Sequence, residues 1–323
     1  MGDKMRRIVF FILILLIMMI GIPALFILNV GIYKKPAPED SAMIKVYIAS
    51  EDRVEEMTKG QYLREVVAAE MPASFEMEAL KAQAVAARSY LAARSFSYAK
   101  NGAPPEHKGA DICTDPSHCK AWISQEKRFE SWGTDAEKNW DKISRAVSET
   151  AEEVITYNGE IISAVFHSTS SGKTENSRDV WGGDKPYLVS VDSPGEEDAP
   201  NFKSEKTISI EEFRKIASEN IEGVDFSYGD IGTITLSDAG GIISITIGNV
   251  PVKGTLFRTL YDLKSTNVQI EKDDSQIHFL VTGYGHGVGM SQYGANAMAK
   301  NGADYISILK HYYTGVEITK QNI

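Results

Sequence analysis

Glu70-Met71-Pro72-Ala73-Ser74-Phe75-Glu76-Met77-Glu78-Ala79-Leu80-Lys81-Ala82-Gln83-Ala84-Val85-Ala86-Ala87-Arg88 joins two helical segments across a break, and the rest of the chain is organised around that join. Upstream, Gln61 to Ala69 reads as a helix that stops at Met71-Pro72, because the residue before a proline is pushed out of the helical region. Downstream of about Phe75, the residues Met77, Leu80, Ala84, Ala87, Leu91 and Tyr98 recur at steps of three and four. That spacing predicts one buried stripe along a long helix ending near Asn101-Gly102.

On the N-terminal side of this pair, the alternating run Ile44-Lys45-Val46-Tyr47-Ile48 predicts a strand. On the C-terminal side comes a loop rich in Pro, Gly, His and Cys, then an amphipathic segment from about Asp135 to Glu149. Val154 to Tyr157 and Ile161 to Phe166 flank Asn158-Gly159, a strong hairpin signal. Asp192 to Pro200 reads as an acidic exposed loop, and Ser209 with Glu212 as a capping box for a helix to about Asn220. Two strands around Asp238-Ala239-Gly240-Gly241, a short helix near Leu256 to Asp262, a strand ending at Val281, a glycine-rich loop and helices near Ser291–Lys300 and Ile306–Tyr312 follow. With no repeats and no low-complexity tract, the fold class is α+β, a mixed helix/strand domain.

Lys4, Arg6 and Arg7 precede a run from Ile8 to Tyr33 whose one ionisable group is that tyrosine, before charge returns at Lys34 and Lys35. Crossing a bilayer takes roughly 20 apolar residues at about 1.5 Å each, so the run is long enough. The competing reading is a cleaved signal peptide, whose apolar core is shorter, about 7–15 residues, and ends in a small-x-small site; Ile27-Leu28-Asn29-Val30 is not one. The division is therefore a basic cytoplasmic start at 1–7, a transmembrane anchor at 8–33, a linker at 34–43 and an extracytoplasmic domain at 44–323, with orientation set by the positive-inside rule. The net charge is −10 and the basic residues are scattered, which argues against nucleic acid, since phosphate binding leaves a basic stripe. Two cysteines are too few for a disulfide-built scaffold.

Five groups of residues carry candidate chemistry. Glu70 sits at the helix break among Ala68, Ala69, Met71 and Pro72, where apolar neighbours favour the neutral acid that a glycosidic oxygen needs from a proton donor; the plain alternative is a solvated glutamate at a helix end. Lys81 and Arg88 share one helix face beside small alanines and suit sugar hydroxyl, acetamido or carboxylate groups, although Glu78 stands ready to pair with Lys81. His167, Ser168, Thr169 and Ser170, followed by Ser171-Gly172 and by Trp181, have the composition of a sugar-contacting surface, and also that of ordinary loop filler. His286, Gln292 and Tyr293 lie in Gly283-Tyr284-Gly285-His286-Gly287-Val288-Gly289-Met290-Ser291-Gln292-Tyr293-Gly294, where alternate glycines permit close backbone approach; it is no phosphate loop, and a structural hydrogen bond is the plainer role for its histidine. His107, Cys113, His118 and Cys119 are four ligands suited to a structural zinc, with a Cys113–Cys119 disulfide as the rival.

Glu70-Met71-Pro72 with Glu78 to Arg88, the His167–Gly172 run with Thr174-Glu175-Asn176, and Gly285 to Ala295, in that order, resemble the stage II sporulation protein D (SpoIID) family, related to the amidase enhancer LytB. The resemblance implies a lytic transglycosylase that cuts the bond between N-acetylmuramic acid and N-acetylglucosamine in peptide-stripped peptidoglycan strands during forespore engulfment. By the same resemblance Glu70 matches the catalytic acid, and Lys81 and Arg88 match positions linked to activity. It implies an amidase partner, SpoIIP, a membrane scaffold, SpoIIM, and a place on the mother-cell engulfing membrane facing the septal wall. No cofactor is needed for the chemistry, and the zinc loop is not part of the family signature. Two rival readings are a non-catalytic glycan-binding module that enhances an amidase and a zinc amidase built on the His/Cys loop.

Overall fold

The computed structural model describes residues 41–116 and 118–321, together with Gly2. The expected span Ile8–Tyr33 and the cytoplasmic start lie outside the described residues. Among the described residues no helix is long and apolar enough to cross a membrane. The fold is mixed helix and strand.

Strand β1 (Met43–Ile48) pairs antiparallel with β2 (Arg53–Thr58) and parallel with β3 (Ile112–Cys113). Helix α1 (Lys59–Glu70) starts where the Thr58 hydroxyl accepts the Gln61 N–H and ends at Met71, whose backbone is extended. Helix α2 (Met77–Asn101) restarts after a turn closed by Phe75 N–H to Pro72 O. Leu80, Ala84, Ala87 and Leu91 of the expected stripe are buried, but burial extends beyond a stripe: every residue from Ala82 to Ala92 is buried, so this part of the helix is enclosed on all sides, while its end from Phe96 is largely exposed. Its alanines allow this, because short side chains let neighbours approach the backbone from every direction. Those neighbours are α1, α4 (Ala136–Glu149), β4 (Glu153–Tyr157), α8 (Gln292–Lys300) and α9 (Tyr305–Tyr312). Helix α3 (Gln125–Trp132) precedes α4 and has no counterpart in the sequence reading.

The Asn158-Gly159 turn forms, with both residues at positive φ (52° and 82°) as a two-residue hairpin of this kind requires. The second strand is shorter than expected: β5 is Glu160–Ile161 only. The chain then leaves the hairpin, and Phe166–His167 becomes β6, parallel to β13 (Met290–Ser291). The His167–Gly172 run and the glycine-rich Gly283–Gly294 loop thus meet edge to edge. Strand β14 (Glu317–Lys320) closes the sheet on β4.

After the short α5 (Ser177–Trp181), a second apolar core forms in the middle of the chain, around Phe213, Phe257, Tyr261 and Phe279. It is enclosed by β7 (Lys203–Ser209), α6 (Ile210–Asn220), the meander β8 (Ile231–Leu236), β9 (Ile242–Ile247) and β10 (Val250–Lys253), α7 (Gly254–Leu260), and β11 (Val268–Lys272) with β12 (Gln276–Thr282). Ser209 caps α6 by accepting the Glu212 N–H. The acidic loop from Asp192 to Pro200 is exposed for the most part, as expected, but Ser193 and Glu196 within it are buried. Hydroxyl groups brought in from distant parts of the chain satisfy that carboxylate and make its burial tolerable.

Candidate active site

Glu70 is the last residue of α1 and is half-buried. Its Oε1 accepts the Ala121 N–H at 3.1 Å and its Oε2 accepts the Gln292 amide Nε2–H at 2.9 Å. Neither partner is charged, and both come from parts of the chain remote in sequence. The turn just after Glu70 contributes Pro72, Ala73 and Ser74 to one wall of a pocket of about 1010 Å³, whose other lining residues include Trp132 and Lys142; Glu70 itself is not among them. Lys142 anchors this turn by donating to the Phe75 carbonyl, and Asn296 anchors it by accepting the Glu76 N–H at 2.8 Å. Phe75 meets the Tyr293 ring edge-on at 4.9 Å between centroids.

Lys120 is a cation that the sequence reading did not single out. It is buried, with its ammonium 3.6 Å from the Phe166 ring centroid and 4.6 Å from that of Tyr90. Burial pushes it down to about 8, and the Glu70 carboxylate acts in the opposite direction. Its neighbours Cys119 and Ala121 belong to the metal-type cluster and to the Glu70 hydrogen bond, so one short segment serves both.

That cluster brings His107, Cys113, His118 and Cys119 together, with one ligand atom from each all within 4.8 Å of one another. His107 Nε2 lies 3.1 Å from His118 Nδ1, and Cys113 and Cys119 Sγ lie 3.5 and 3.7 Å from the same His118 nitrogen. Tetrahedral bonds of about 2.0–2.3 Å place N and S ligands roughly 3.3–3.8 Å apart; the two thiol contacts to His118 lie in that window and the two ring nitrogens slightly closer, so the donor types fit a zinc and small side-chain shifts would complete the geometry. Both thiols are unbridged and buried. The hydrogen bond between the two thiols brings Cys119 down to about 7 and pushes Cys113 up, as expected of two thiols sharing one proton.

Burial sorts the other expected contacts. Arg88 is 1% exposed and donates to the Val147 and Glu153 carbonyls at 3.1 and 3.3 Å, so it ties α2 to the end of α4 and the start of β4 instead of facing a glycan. Lys81 bridges Glu78 and Glu149 at 2.9 and 3.0 Å, the local pairing that its spacing allowed. Thr169 and Ser170 are buried, and the cleft beside them encloses about 10 Å³, room for at most one water. Gln292 is buried and its amide is spent on Glu70. The direct glycan contacts expected of Arg88, Thr169, Ser170 and Gln292 are therefore corrected to supporting roles. Ser168, His286 and Tyr293 keep accessible surface.

The two histidines are held as neutral rings. His167 donates from Nδ1 to the Val288 carbonyl at 3.2 Å, and its Nε2 is buried with no partner, leaving a free lone pair. Burial brings it down to about 4. His286 accepts the Val288 N–H on Nδ1 at 3.1 Å and is likewise pushed well below its ordinary value by burial. Its ring lies 5.1 Å from Trp181, which is 48% exposed and forms an aromatic edge to the site.

Besides Lys120, sequence reasoning missed the burial of several carboxylates, among them Glu65 and Glu196. Glu65, one turn and a residue before Glu70, accepts Trp122 Nε1–H at 2.8 Å and the Gln125 N–H at 3.2 Å. Glu196 joins Ser170, Ser193 and Ser291. Each has one donor near in sequence, Gln61 for Glu65 and Ser193 for Glu196, but the others lie far along the chain.

The region thus combines a helix-corner carboxyl held by neutral donors with a cluster of two histidines and two cysteines close by in the chain. Comparison with known proteins gives the family. A family model described as stage II sporulation protein matches residues 47–157, the segment from β1 through the Glu70 corner and the clamp to β4. The chain is 36% identical over 283 residues to stage II sporulation protein D of Bacillus amyloliquefaciens, covering 87% of this chain and 80% of that one. It is 36% identical over 294 residues to the protein of the same name from Bacillus subtilis (strain 168), covering 88% and 83%. The amidase enhancer of the latter organism is 31% identical over 311 residues, covering 80% of this chain and 40% of that one. The chain belongs to the stage II sporulation protein D family.

Proposed function

We propose that this protein is a peptidoglycan lytic transglycosylase acting on peptide-stripped glycan strands during engulfment, with Glu70 as its single acid and base. The observation that carries the proposal is the half-buried Glu70 carboxyl group, fixed from both sides by the neutral donors of Ala121 and Gln292. In the reaction, protonated Glu70 gives its proton to the oxygen bridging N-acetylmuramic acid to N-acetylglucosamine, and the bond from that oxygen to the muramic anomeric carbon breaks. The muramic acid's own primary hydroxyl closes on the same carbon, its proton passes to Glu70, and a 1,6-anhydro ring results. Because the nucleophile is tethered, the effective-concentration advantage of an intramolecular attack replaces a second carboxylate. The Ala121 and Gln292 donors stabilise the carboxylate form between the two proton transfers.

In this reading Ser168, His286, Tyr293 and Trp181 are the surface that meets the sugar. The His107, Cys113, His118 and Cys119 cluster holds a structural zinc, closed by four protein ligands and so without an open position for catalysis. Its part is to fix the segment that presents Ala121 to Glu70. Ile8–Tyr33 anchors the protein in the cell membrane with the N-terminus in the cytoplasm and the domain on the side of the wall. The amidase SpoIIP and the membrane protein SpoIIM are the proposed partners.

Mass spectrometry of products from defined peptide-free strands tests the reaction: the full-length chain is expected to release fragments with anhydro-muramic ends. Fragments with ordinary reducing ends would contradict it. Elemental analysis of the same preparation is expected to find about one zinc per chain. A metal-free, fully active protein with a Cys113–Cys119 disulfide in its peptide map would remove the clamp. One second reading has support in the relative named amidase enhancer, namely a glycan-binding module that stimulates an amidase without cutting. It predicts amidase stimulation undiminished in Glu70→Gln and no anhydro ends.

A further inference from the structure

We infer that Glu196 is a positioning residue for Glu70, acting through Ser291 and Gln292; the inference rests on the function proposed above. Glu196 is 1% exposed and receives four hydrogen bonds. Its Oε2 accepts the Ser170 N–H at 2.9 Å and the Ser291 hydroxyl at 2.6 Å, and its Oε1 accepts the Ser170 and Ser193 hydroxyls at 2.7 and 2.5 Å. A carboxylate has about four lone-pair sites, so this one is fully used, with no cation among its partners.

The four bonds converge from three separate loops. Ser170 belongs to the run after β6, Ser193 lies in the acidic loop, and Ser291 is the last residue of β13 and the cap of α8, where its hydroxyl accepts the Gly294 N–H at 3.2 Å. Ser193 extends the network to α9 through the Tyr312 hydroxyl at 2.6 Å. Gln292, next to Ser291, begins α8 and donates to Glu70. The path from Glu196 to Glu70 is therefore one hydrogen bond to Ser291, one peptide link, and one hydrogen bond from Gln292.

This geometry gives Glu196 a role different from filling space. A side chain has to sit within a fraction of an ångström of its productive place to support proton transfer. Gln292 is held there as firmly as the first turn of α8, and the Ser291 hydroxyl on Glu196 anchors the start of that turn together with the Tyr293 N–H on the Ser168 carbonyl. The Ser168 carbonyl, 3.3 Å from the same hydroxyl, is a longer and weaker alternative acceptor. Loss of Glu196 would let Ser291 turn to it, and α8 would settle in a new position.

The test is a mutant cycle on the full-length chain with peptide-free strands as substrate. Glu196→Ala and Ser291→Ala are each expected to lower kcat about tenfold with KM nearly unchanged, the signature of lost transition-state support. Gln292→Ala is expected to lower kcat at least as much, and Ser291→Ala/Gln292→Ala to be no worse than Gln292→Ala alone, because the two act along one path. Glu196→Gln is expected to restore most of the rate: its carbonyl can take the Oε2 bonds while the Ser170 and Ser193 hydroxyls turn to accept from its amide. Should Glu196→Ala not fold, Ser291→Ala carries the test alone. Rate losses that multiply in the double variant, or a wild-type kcat in Ser291→Ala with only thermal stability lowered, would overturn the inference. The side-chain amide resonance of Gln292 in NMR provides a readout independent of turnover. It is expected to shift in Ser291→Ala even if the wild-type chain yields no anhydro ends, an outcome that would sink the proposed reaction and leave the positioning path standing; an unmoved resonance sinks the path.

Discussion

Two buried aspartate or glutamate side chains in this molecule are satisfied in opposite ways. Glu196, beneath the candidate active site, is surrounded by neutral hydroxyls and one backbone N–H. Asp230, in the β-rich middle of the chain, is gripped by Arg214 at 2.6 Å and Lys272 at 2.7 Å. The middle region uses its charges in pairs that close on themselves. The site region gives Glu196 and Glu70 neutral hydrogen-bond donors, largely from distant loops, and the nearby cation Lys120 acts on Glu70 through space, so the donors tie those loops together. Position, more than charge balance, is what the second arrangement provides.

The sharpest stability test of that difference is Gly294→Ala. A Cβ at Gly294 would run into the Tyr312 hydroxyl, the Ser193 hydroxyl and the Glu196 carboxylate together, so the network would have to open. The expected cost is about 2–3 kcal/mol, at the upper range for overpacking a filled interior, read from the denaturant midpoint. A neutral outcome would mean that the network around Glu196 is loose and cannot position anything.

Acid titration followed by hydrogen exchange separates the two regions with a smaller effect. Burial raises Glu196 above the ordinary glutamate value, opposed by the bonds from Ser193, Ser291 and Ser170. A raised folded value means that stability from this group is fully present below the unfolded value of about 4.3 and is lost as pH rises through the folded value. Burial also acts to raise Asp230, but the Arg214 and Lys272 hydrogen bonds outweigh it and hold it below the ordinary aspartate value. Its contribution is present above the unfolded value, about 3.9, and lost as pH falls through the folded value. Amides near Ser170 and Ser193 should therefore gain protection as pH falls from neutrality toward the glutamate range, after correction for intrinsic exchange. Those of β11 and β12 should hold steady there and loosen only at lower pH. The same response in both regions would erase the distinction.

Much of the scaffold was legible because its signals are local. Pro72 ends one helix whatever surrounds it, Asn158-Gly159 makes its turn from its own backbone preferences, and Ser209 caps the helix that follows it. What could not be read was long-range. Arg88 looked like a surface cation because its carbonyl partners, Val147 and Glu153, lie on other elements. Glu196 looked solvated because it stands in an acidic run, while two of its donors come from Ser170 and Ser291. Lys120 was hidden for the same reason, since Phe166 and Tyr90 reach it only in the fold. The four ligands of the clamp stood close in sequence, and their convergence was the one piece of tertiary geometry that residue types alone suggested.

The most direct measurement is the turnover of peptide-free glycan strands by Glu70→Gln beside the unaltered chain, with thermal unfolding of both. Loss of a general acid costs about 10²–10⁴-fold in rate, so anhydro-ended product is expected to fall by that factor while the unfolding midpoint stays in place. A folded Glu70→Gln protein that still releases anhydro ends at the full rate would contradict the assignment of the proton to this corner of the molecule.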